Sequence, residues 1–448
     1  MADTREIQRI IMEEREAFEQ ISDQIWEFAE MRYQEFESAK LLCRTLDACG
    51  FQVTRPIAGI ETAFMGEYGT GRPVIAFLGE YDALPEMSQK ADSTVQEPLV
   101  PGACGHGCGH HLLGTGSLEA AYAVKKLIEG GALKGTVRYY GCPAEEGGAG
   151  KGFMVRAGVF RDADICLTWH PMDANGVMNH TLANMRFFFR FHGVSAHASA
   201  NPHMGRSALD ALELTNVGCN YLREHIIPEA RLHYAVTNTG GAAPNVVQAY
   251  AEEIYCIRAP GQDQLEEIFE RVCNVARGAA LMTDTRVDIQ VVSAYANIIP
   301  NRTLRELALE KMREFCPLYY TEEELAYAAA YQEGGAVEPI NKRVVEENAP
   351  FSGSTDVGDV SWNVPTLSLG ITAYAAGTAL HSWRSTAQGK SSVAKKGMHL
   401  AACVMAAVAA ELFENSGLRE QVREDFKKET GSGGYRSLLP GDAAPGDF

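Results

Sequence analysis

Potential metal ligands are concentrated in one short glycine-rich segment of the chain. The segment Gly102-Ala-Cys-Gly-His-Gly-Cys-Gly-His-His-Leu-Leu113 places two cysteines and three histidines among four glycines. Glycines allow the backbone to fold tightly around a bound ion. Thiolate and imidazole groups suit Zn²⁺ or another borderline transition metal, whereas Mg²⁺ and Ca²⁺ sites are built from oxygen ligands. The segment therefore predicts a transition-metal site, and its composition leaves every candidate from Cys104 to His111 open.

A pair of adjacent acids forms the second candidate feature. Glu145 and Glu146 lie in Pro143-Ala-Glu-Glu-Gly-Gly-Ala-Gly150, directly after a predicted strand. Open α/β sheets place their sites at the carboxyl ends of strands. Two adjacent carboxylates that leave a buried strand face different directions, so one can bind a metal while the other takes a proton from water. An acid pair on a solvated surface loop is the alternative interpretation.

Three further residues fit the same design. His170 ends the next predicted strand, and Asp82 follows an earlier apolar strand, where it could hydrogen-bond the imidazole of a metal ligand. His381 lies late in the chain, in Leu380-His-Ser-Trp383. Taken alone, His381 is explained equally well as a structural histidine.

The elements that must position these residues alternate between strands and helices. Helical apolar spacing covers residues 4–50 with a break near 31–34, and a helix is predicted over 112–129. Strands are predicted over 51–56, 62–68, 74–80, 136–142 and 163–169. This alternation predicts an α/β sheet.

The pattern changes after about residue 184 and indicates an inserted domain. Strands at 185–191, 254–258 and 287–294 surround helices at 205–226 and 262–283. The order βαββαβ predicts a ferredoxin-like fold. At 448 residues the chain exceeds the size of one core. We therefore predict a catalytic domain in two parts, 1–183 and 299–430, an inserted domain over 184–298 and a flexible tail over 431–448.

Composition excludes several classes of function. The 58 acidic and 40 basic residues give a formal charge of -18, which argues against nucleic acid or an anionic membrane as partner. The 11 scattered cysteines do not suggest a disulfide framework. The N-terminus lacks a basic region followed by an apolar run, and no stretch supplies the roughly 18 apolar residues of a membrane helix. We expect a cytoplasmic protein.

Several short strings between about residues 20 and 425 resemble those of a known family. They include GHGCGH, PAEEGG, TWHP, SAHAS, GRSALDA, APNVVQA and STDVGDVSW. The chain resembles the metal-dependent amidohydrolases and carboxypeptidases, a family that includes carboxypeptidase G, aminoacylase and plant auxin-conjugate hydrolases. The resemblance implies a zinc-peptidase-like catalytic domain with a mixed sheet, and an inserted ferredoxin-like α+β lid and dimerisation domain.

The resemblance also implies an activity and a ligand set. The expected reaction is hydrolysis of the amide bond of an N-acyl or N-aroyl amino acid, with p-aminobenzoyl-glutamate as the first candidate and dipeptides or other acyl amino acids as alternatives. Two divalent ions, Mn²⁺ or Zn²⁺, are expected in each active site. Their implied ligands are Cys108, His110, Glu146, His170 and His381.

The same resemblance assigns roles within this set. Cys108 is expected to bridge the ions and Glu145 to act as general base. The Cys-Gly-His step of the family pattern falls on Cys108 and not on Cys104, which becomes a loop cysteine beside His106. His111 stands where many relatives have Asp or Asn, so its role stays open.

Three residues of the inserted domain complete the expected site. His197, in Gly193-Val-Ser-Ala-His197, is implied to reach a neighbouring active site and hold the oxyanion of the transition state. Asn245 and Arg258 match substrate-contacting positions, and an arginine can clamp a carboxylate with two hydrogen bonds. From spacing alone, each of the three would be interpreted as a structural residue of the lid.

The sequence leaves two alternatives and the assembly open. A thiol hydrolase with Cys108 as nucleophile is a different chemical class, but it makes little use of Glu145, Glu146 or His170. A protein that depends on another chain for activity is a second alternative. The expected assembly is a homodimer or a heteromer with a related A subunit.

Overall fold

The computed structural model describes residues 4–332, 338–346, 353–431 and 434–446. Within these ranges the chain forms two compact units. The first unit runs over 1–180, 299–351 and 359–435, and the second over 181–298, 352–358 and 436–448. The predicted domain boundaries were 183/184 and 298/299. The two short segments of the second unit outside 181–298 had no counterpart in the sequence prediction.

The described residues form strands and α-helices that we number in chain order. The strands are β1 (Gln52–Thr54), β2 (Phe64–Gly69), β3 (Val74–Gly79), β4 (Thr136–Gly141), β5 (Ile165–Met172), β6 (Gly176–Val177), β7 (Ala183–His192), β8 (Arg231–Asn238), β9 (Tyr250–Ala259), β10 (Arg286–Tyr295) and β11 (Thr366–Thr372). The helices are α1 (Thr4–Phe28), α2 (Phe36–Ala48), α3 (His110–Glu129), α4 (Glu145–Gly148), α5 (Gly150–Arg156), α6 (Ala208–Leu222), α7 (Gln262–Met282), α8 (Arg302–Phe315), α9 (Glu322–Ala329), α10 (Val357–Ser361), α11 (Trp383–Gln388), α12 (Ser392–Glu414) and α13 (Ser416–Thr430).

A seven-stranded mixed sheet lies at the centre of the first unit. Its order is β1-β2-β4-β3-β5-β11-β6. The four strands β4, β3, β5 and β11 run parallel, and β1, β2 and β6 are each antiparallel to a neighbour. All residues of β3, β4 and β11 are buried, as expected of strands covered on both faces. The carboxyl ends of the parallel strands therefore meet at one edge of the sheet.

Helices α3 and α12 pack together in the core of the first unit, and α1 packs against both. Helix α3 is buried along most of its length, which fixes the position of the glycine-rich segment that precedes it. Among the described residues, α12 is the one helix long and apolar enough to cross a membrane by length and composition. Its apolar window is 89% buried inside the protein, which is typical of a core helix.

The second unit contains a four-stranded antiparallel sheet of order β10-β7-β9-β8. The chain order β7-α6-β8-β9-α7-β10 is the βαββαβ pattern of a ferredoxin-like fold, as predicted. Alternate side chains of β7, among them Phe187 and Phe189, are buried, and Phe187 packs edge-on against Phe269 of α7. The prediction gave no residue range for one of the four strands, β8, which lies at the sheet edge and is mostly exposed, so it has no apolar alternation. The predicted fold class is confirmed.

A buried charge network ties three helices of the first unit together. His399 of α12 donates from Nδ1 to Glu119 of α3 at 2.9 Å, and its Nε2 lies 3.3 Å from Oε1 of Glu19 in α1. Lys395 lies 3.8 Å from the same Glu19 carboxylate. Burial opposes the charged imidazole, but the two carboxylates raise the pKa of His399 to about 9. His399 is therefore charged at neutral pH.

This network gives the fold a testable pH dependence. The folded pKa of about 9 exceeds the value of about 6.5 for an unfolded histidine. The stabilisation is therefore fully present below pH of about 6.5 and is lost as pH rises through 9. Breaking a buried pair costs about 3–5 kcal/mol, so we expect His399→Gln to lower the melting temperature strongly at pH 6 and less at pH 10. The exposed His180→Gln is the control, and an equal loss at both pH values would contradict the assignment.

Candidate metal centre

The predicted ligands of the first unit come from separate parts of the chain and meet at the carboxyl edge of its sheet. Asp82 follows β3, the acid pair follows β4, and His170 lies near the end of β5. His381 lies in the connection between β11 and α11, and Cys108 precedes the first residue of α3, His110, by two positions. Parallel strands thus bring together residues that are up to 299 positions apart, from Asp82 to His381.

Backbone conformation at this edge is unusual, as at many functional sites. Gly109 caps α3 in the left-handed region, with φ of 82°, and a Cβ there would collide with Tyr374 and Pro171. Glycine is therefore required between Cys108 and His110. Ala144 and His381, which are not glycines, also have positive φ angles of 60° and 56°. Such strain persists where the surrounding structure holds the backbone in place.

Cys108 lies at the centre of the cluster. Its Sγ is 3.3 Å from Nε2 of His170 and 3.3 Å from Nε2 of His381. Nε2 of His381 is also 3.1 Å from Oε1 of Glu146. Cys108 and Glu146 are largely shielded from water, whereas the His381 side chain is 51% exposed. The cluster is therefore open to solvent on the His381 side.

Hydrogen bonds orient the imidazoles of His110 and His170 so that Nε2 of each faces the cluster. Nδ1 of His110 bonds Oδ1 of Asp82 at 2.8 Å, and Nδ1 of His170 bonds the Pro171 carbonyl at 2.9 Å. Metal-binding histidines usually make such a bond with the nitrogen that does not bind the metal. The second carboxylate oxygen of Asp82 accepts from the backbone N–H of Glu146 at 2.8 Å. Asp82 thus joins the start of α3 to the acid loop.

The electrostatics of the cluster favour a bound cation. Burial and the neighbouring His110 lower the pKa of His170 to about 4, so this imidazole is neutral. Burial opposes ionisation of Glu146, but His381 and His110 lower its pKa to about 2. Burial also opposes the charge of His110, yet Cys108 and Asp82 raise its pKa well above its usual value. Burial and Glu146 raise the pKa of the Cys108 thiol, an effect that a metal ion would oppose.

The donor atoms fit a transition metal. Nε2 of His110 is buried and makes no hydrogen bond. Three overlapping groups of described residues have their ligand atoms within 4.8 Å of one another. They are Cys108 with His110 and His170, Cys108 with Glu146 and His381, and Glu80 with His110 and Glu145. A set of sulfur, imidazole nitrogen and carboxylate oxygen suits Zn²⁺ or Mn²⁺.

Glu145 lies beside this cluster, in a loop that is hydrogen-bonded to the turn between α1 and α2. Its Oε2 is 4.0 Å from Nε2 of His110. The preceding Ala144 donates its backbone N–H to the buried carboxylate of Glu35 at 2.9 Å. The hydroxyl of Tyr33 donates to the Gly148 carbonyl at 2.7 Å. The turn between α1 and α2 thus fixes both ends of the acid loop.

Sequence reasoning missed Glu80, Lys151 and Glu35. Glu80 lies two positions before Asp82, and alternate residues of an extended chain share a side, so its spacing could have revealed it. The other two residues act through contacts distant in sequence and carried no comparable signal. The Lys151 ammonium, for example, lies 2.6 Å from Oε1 of Glu80 although the residues are 71 positions apart in the chain.

The remaining members of the glycine-rich segment point away from the cluster. Nε2 of His106 bonds the Ile25 carbonyl at 2.9 Å, and Nε2 of His111 bonds the Gly389 carbonyl at 3.0 Å. Burial is the main cause that lowers the pKa of His111 to about 3, so this imidazole is neutral. Cys104 is partly exposed and belongs to none of the three groups. These contacts give His106 and His111 a structural explanation.

The second unit holds the other three predicted site residues. Nδ1 of the exposed His197 accepts from the backbone N–H groups of Ser199 and Ala200, at 3.3 and 3.2 Å, so Nε2 carries the proton. The Asn245 carbonyl accepts from Ala198 at 3.0 Å, which places Asn245 next to the His197 loop. Arg258 lies on β9, half-buried, and donates to Ser354 Oγ at 3.0 Å.

Comparison with known proteins gives a consistent result. The model of peptidase family M20/M25/M40 matches residues 76–410. The B subunit of p-aminobenzoyl-glutamate hydrolase from Escherichia coli (strain K12) is 44% identical over 472 aligned positions, which cover 98% of this chain and 98% of that protein. The Xaa-Arg dipeptidase of Mus musculus is 30% identical over 424 positions, covering 91% and 88%. The crystal structure of a dinuclear metal-binding M20 peptidase from Bacillus subtilis has the same fold, with a TM-score of 0.58 at 19% identity over 89% of this chain and 99% of that one.

The two cysteines of the glycine-rich segment provide a matched test of the metal centre. We expect Cys108→Ala to lose bound metal, because it removes the sulfur that lies between two imidazoles. Cys104→Ala should keep its metal, since Cys104 lies outside the cluster. Elemental analysis of both purified variants measures the difference, and equal metal content in the two variants would contradict the assignment.

Proposed function

The chain belongs to peptidase family M20/M25/M40 and is a hydrolase of amide bonds, and we propose that it cleaves an N-acyl or N-aroyl amino acid. The preferred substrate in this proposal is p-aminobenzoyl-glutamate. The observation that carries the proposal is the cluster of Cys108, His170, His381 and Glu146 beside Glu145. The choice of substrate is supported by the 44% identity to one chain of a p-aminobenzoyl-glutamate hydrolase over nearly the whole length.

We propose two divalent ions, Mn²⁺ or Zn²⁺, in this centre. One would be held by His110 and His170, the other by Glu146 and His381, and the Cys108 sulfur belongs to both groups. Such a pair, when bound, polarises the amide carbonyl and lowers the pKa of water to about 7.

Glu145 is the proposed general base. It belongs with Glu80 and His110 to one of the three groups, and the Glu35 contact to Ala144 holds its loop. Its carboxylate would take a proton from the attacking water and deliver it to the leaving nitrogen. Proton transfer by a positioned side chain contributes typically about 10²- to 10⁴-fold to the rate.

Three residues of the second unit are proposed to interact with the substrate, and His197 to do so in a neighbouring active site. The proton on Nε2 makes His197 a donor suited to the developing oxyanion, an interaction worth on the order of 3 kcal/mol. Arg258 would clamp the free carboxylate of the amino acid, and Asn245 would contact the substrate. The Arg258 contact to Ser354 supports this role, because it holds the guanidinium in one orientation.

Two alternatives predict different results. The thiol-hydrolase hypothesis is disfavoured because Cys108 is 7% exposed and burial raises its pKa, whereas a nucleophilic cysteine needs an accessible thiolate. Dipeptide hydrolysis is the second alternative, and the 30% identity to an Xaa-Arg dipeptidase supports it. A release assay across N-aroyl-glutamates, N-acyl amino acids with neutral side chains, and Xaa-Arg dipeptides separates these substrates.

The proposed assembly is a homodimer or a heteromer with a related A subunit, in the cytoplasm. The name of the similar Escherichia coli protein, the B subunit of its enzyme, supports a second kind of chain. Activity of the purified protein without any partner would favour the homodimer.

Glu145→Gln separates catalysis from metal binding. We expect this variant to retain its metal ions while turnover falls by about 10²- to 10⁴-fold, because the amide cannot accept the water's proton. The exposed Glu61→Gln is the control. Turnover at the wild-type level would exclude Glu145 as the base.

Arg258→Ala tests the carboxylate clamp. Hydrogen bonds to charged groups contribute about 1.5–3 kcal/mol, so kcat/KM for the free acid should fall roughly 10- to 100-fold. For the carboxamide analogue of the same substrate, we expect little change between variant and wild type. An equal fall for acid and carboxamide would show a structural role instead, and Arg286→Ala on β10 is the control.

A further inference from the structure

A buried carboxylate that the proposed mechanism does not use faces the His110 side of the centre. Glu80 directly follows β3, and its side chain is 3% exposed. One oxygen, Oε1, lies 2.6 Å from the ammonium of Lys151, and the other, Oε2, lies 3.3 Å from Nε2 of His110. The carboxylate therefore lies between a buried cation and a predicted metal ligand.

The contact between Glu80 and His110 needs a positive charge. Nδ1 of His110 bonds the Asp82 carboxylate, so the neutral imidazole has its proton on Nδ1 and a lone pair on Nε2. That lone pair faces Oε2 of Glu80, which is also an acceptor. Two acceptors at 3.3 Å repel each other unless a proton on Nε2 or a metal ion lies between them. Nε2 of His110 is buried and makes no hydrogen bond, as expected of an atom reserved for a metal ion.

Lys151 accounts for the orientation of the carboxylate. Its side chain is fully buried, and a buried lysine is costly unless it is paired. By binding Oε1, Lys151 leaves Oε2 as the oxygen that faces His110.

We propose that Glu80 is a further metal ligand, which binds the ion on the His110 side through Oε2 while Lys151 holds Oε1. The inference rests on the metal-dependent function proposed above. Each ion would then have one carboxylate, Glu146 in the group with Cys108 and His381, and Glu80 in the group with His110. Added oxygen ligation favours Mn²⁺ relative to Zn²⁺ on the Glu80 side.

The experiment distinguishes whether Glu80 is a metal ligand or only the counter-ion of Lys151. We would prepare Glu80→Gln, Lys151→Met and the double variant, with the exposed Glu86→Gln of the same loop as control. Each would be loaded with Mn²⁺ or Co²⁺, and its ion content and affinities measured by chelator competition and by the visible spectrum of the Co²⁺ form. No substrate is needed for these readouts.

The double variant decides the question, because it removes both charges together and leaves no unpaired lysine. We expect Glu80→Gln and the double variant to bind the more weakly held of the two ions at least about ten-fold less tightly than the wild type does. Both should also show an altered Co²⁺ spectrum. Wild-type affinity for two ions in the double variant would overturn the proposal. A wild-type protein that binds two ions but cleaves none of the candidate amides would contradict the proposed function and leave this inference intact.

Discussion

The carboxylate of Asp82 is the contact on which the geometry of the site depends. One of its oxygens accepts from His110 at the start of α3, and the other accepts from the backbone of Glu146 in the acid loop. Two parts of the candidate site that are 36 residues apart in the chain, at His110 and at Glu146, are thereby fixed to the end of the same strand, β3. Any change in this carboxylate would alter the direction of an imidazole and the position of the neighbouring acids at once. The buried core around α3 and α12 keeps this arrangement rigid.

The site also concentrates negative charge where water is scarce. Glu80 and Asp82 are buried carboxylates, the Glu146 side chain is 10% exposed, and Cys108 adds a sulfur whose ionisation burial opposes. Lys151 neutralises one of these charges. Bound cations would balance the remaining charges, and a cation site explains why the buried Nε2 of His110 makes no hydrogen bond within the protein. The metal-dependent function we propose follows from this imbalance as much as from the resemblance to other hydrolases.

The features that could be predicted from the sequence are those with a local signal. The glycine-rich segment, the Glu145-Glu146 pair and the alternation of strands and helices each lie within a few consecutive residues, and the βαββαβ order revealed the inserted fold. The edge strand β8 had no such signal because most of its side chains are exposed. Glu35 and Lys151 were missed for a different reason. Their importance arises from contacts with Ala144 and Glu80, which lie 109 and 71 positions away and which no periodicity indicates.

In our proposal, Cys108 would hold two divalent ions together with His110 and His170 on one side and Glu146 and His381 on the other. Anomalous diffraction from crystals grown with Mn²⁺ or Zn²⁺, recorded on both sides of the metal absorption edge, tests it most directly. We expect two anomalous peaks roughly 3.5–4 Å apart, one beside His110 and His170 and one beside Glu146 and His381, with Cys108 Sγ in contact with both. A single peak, or two peaks of which one lies away from Cys108, would contradict the account.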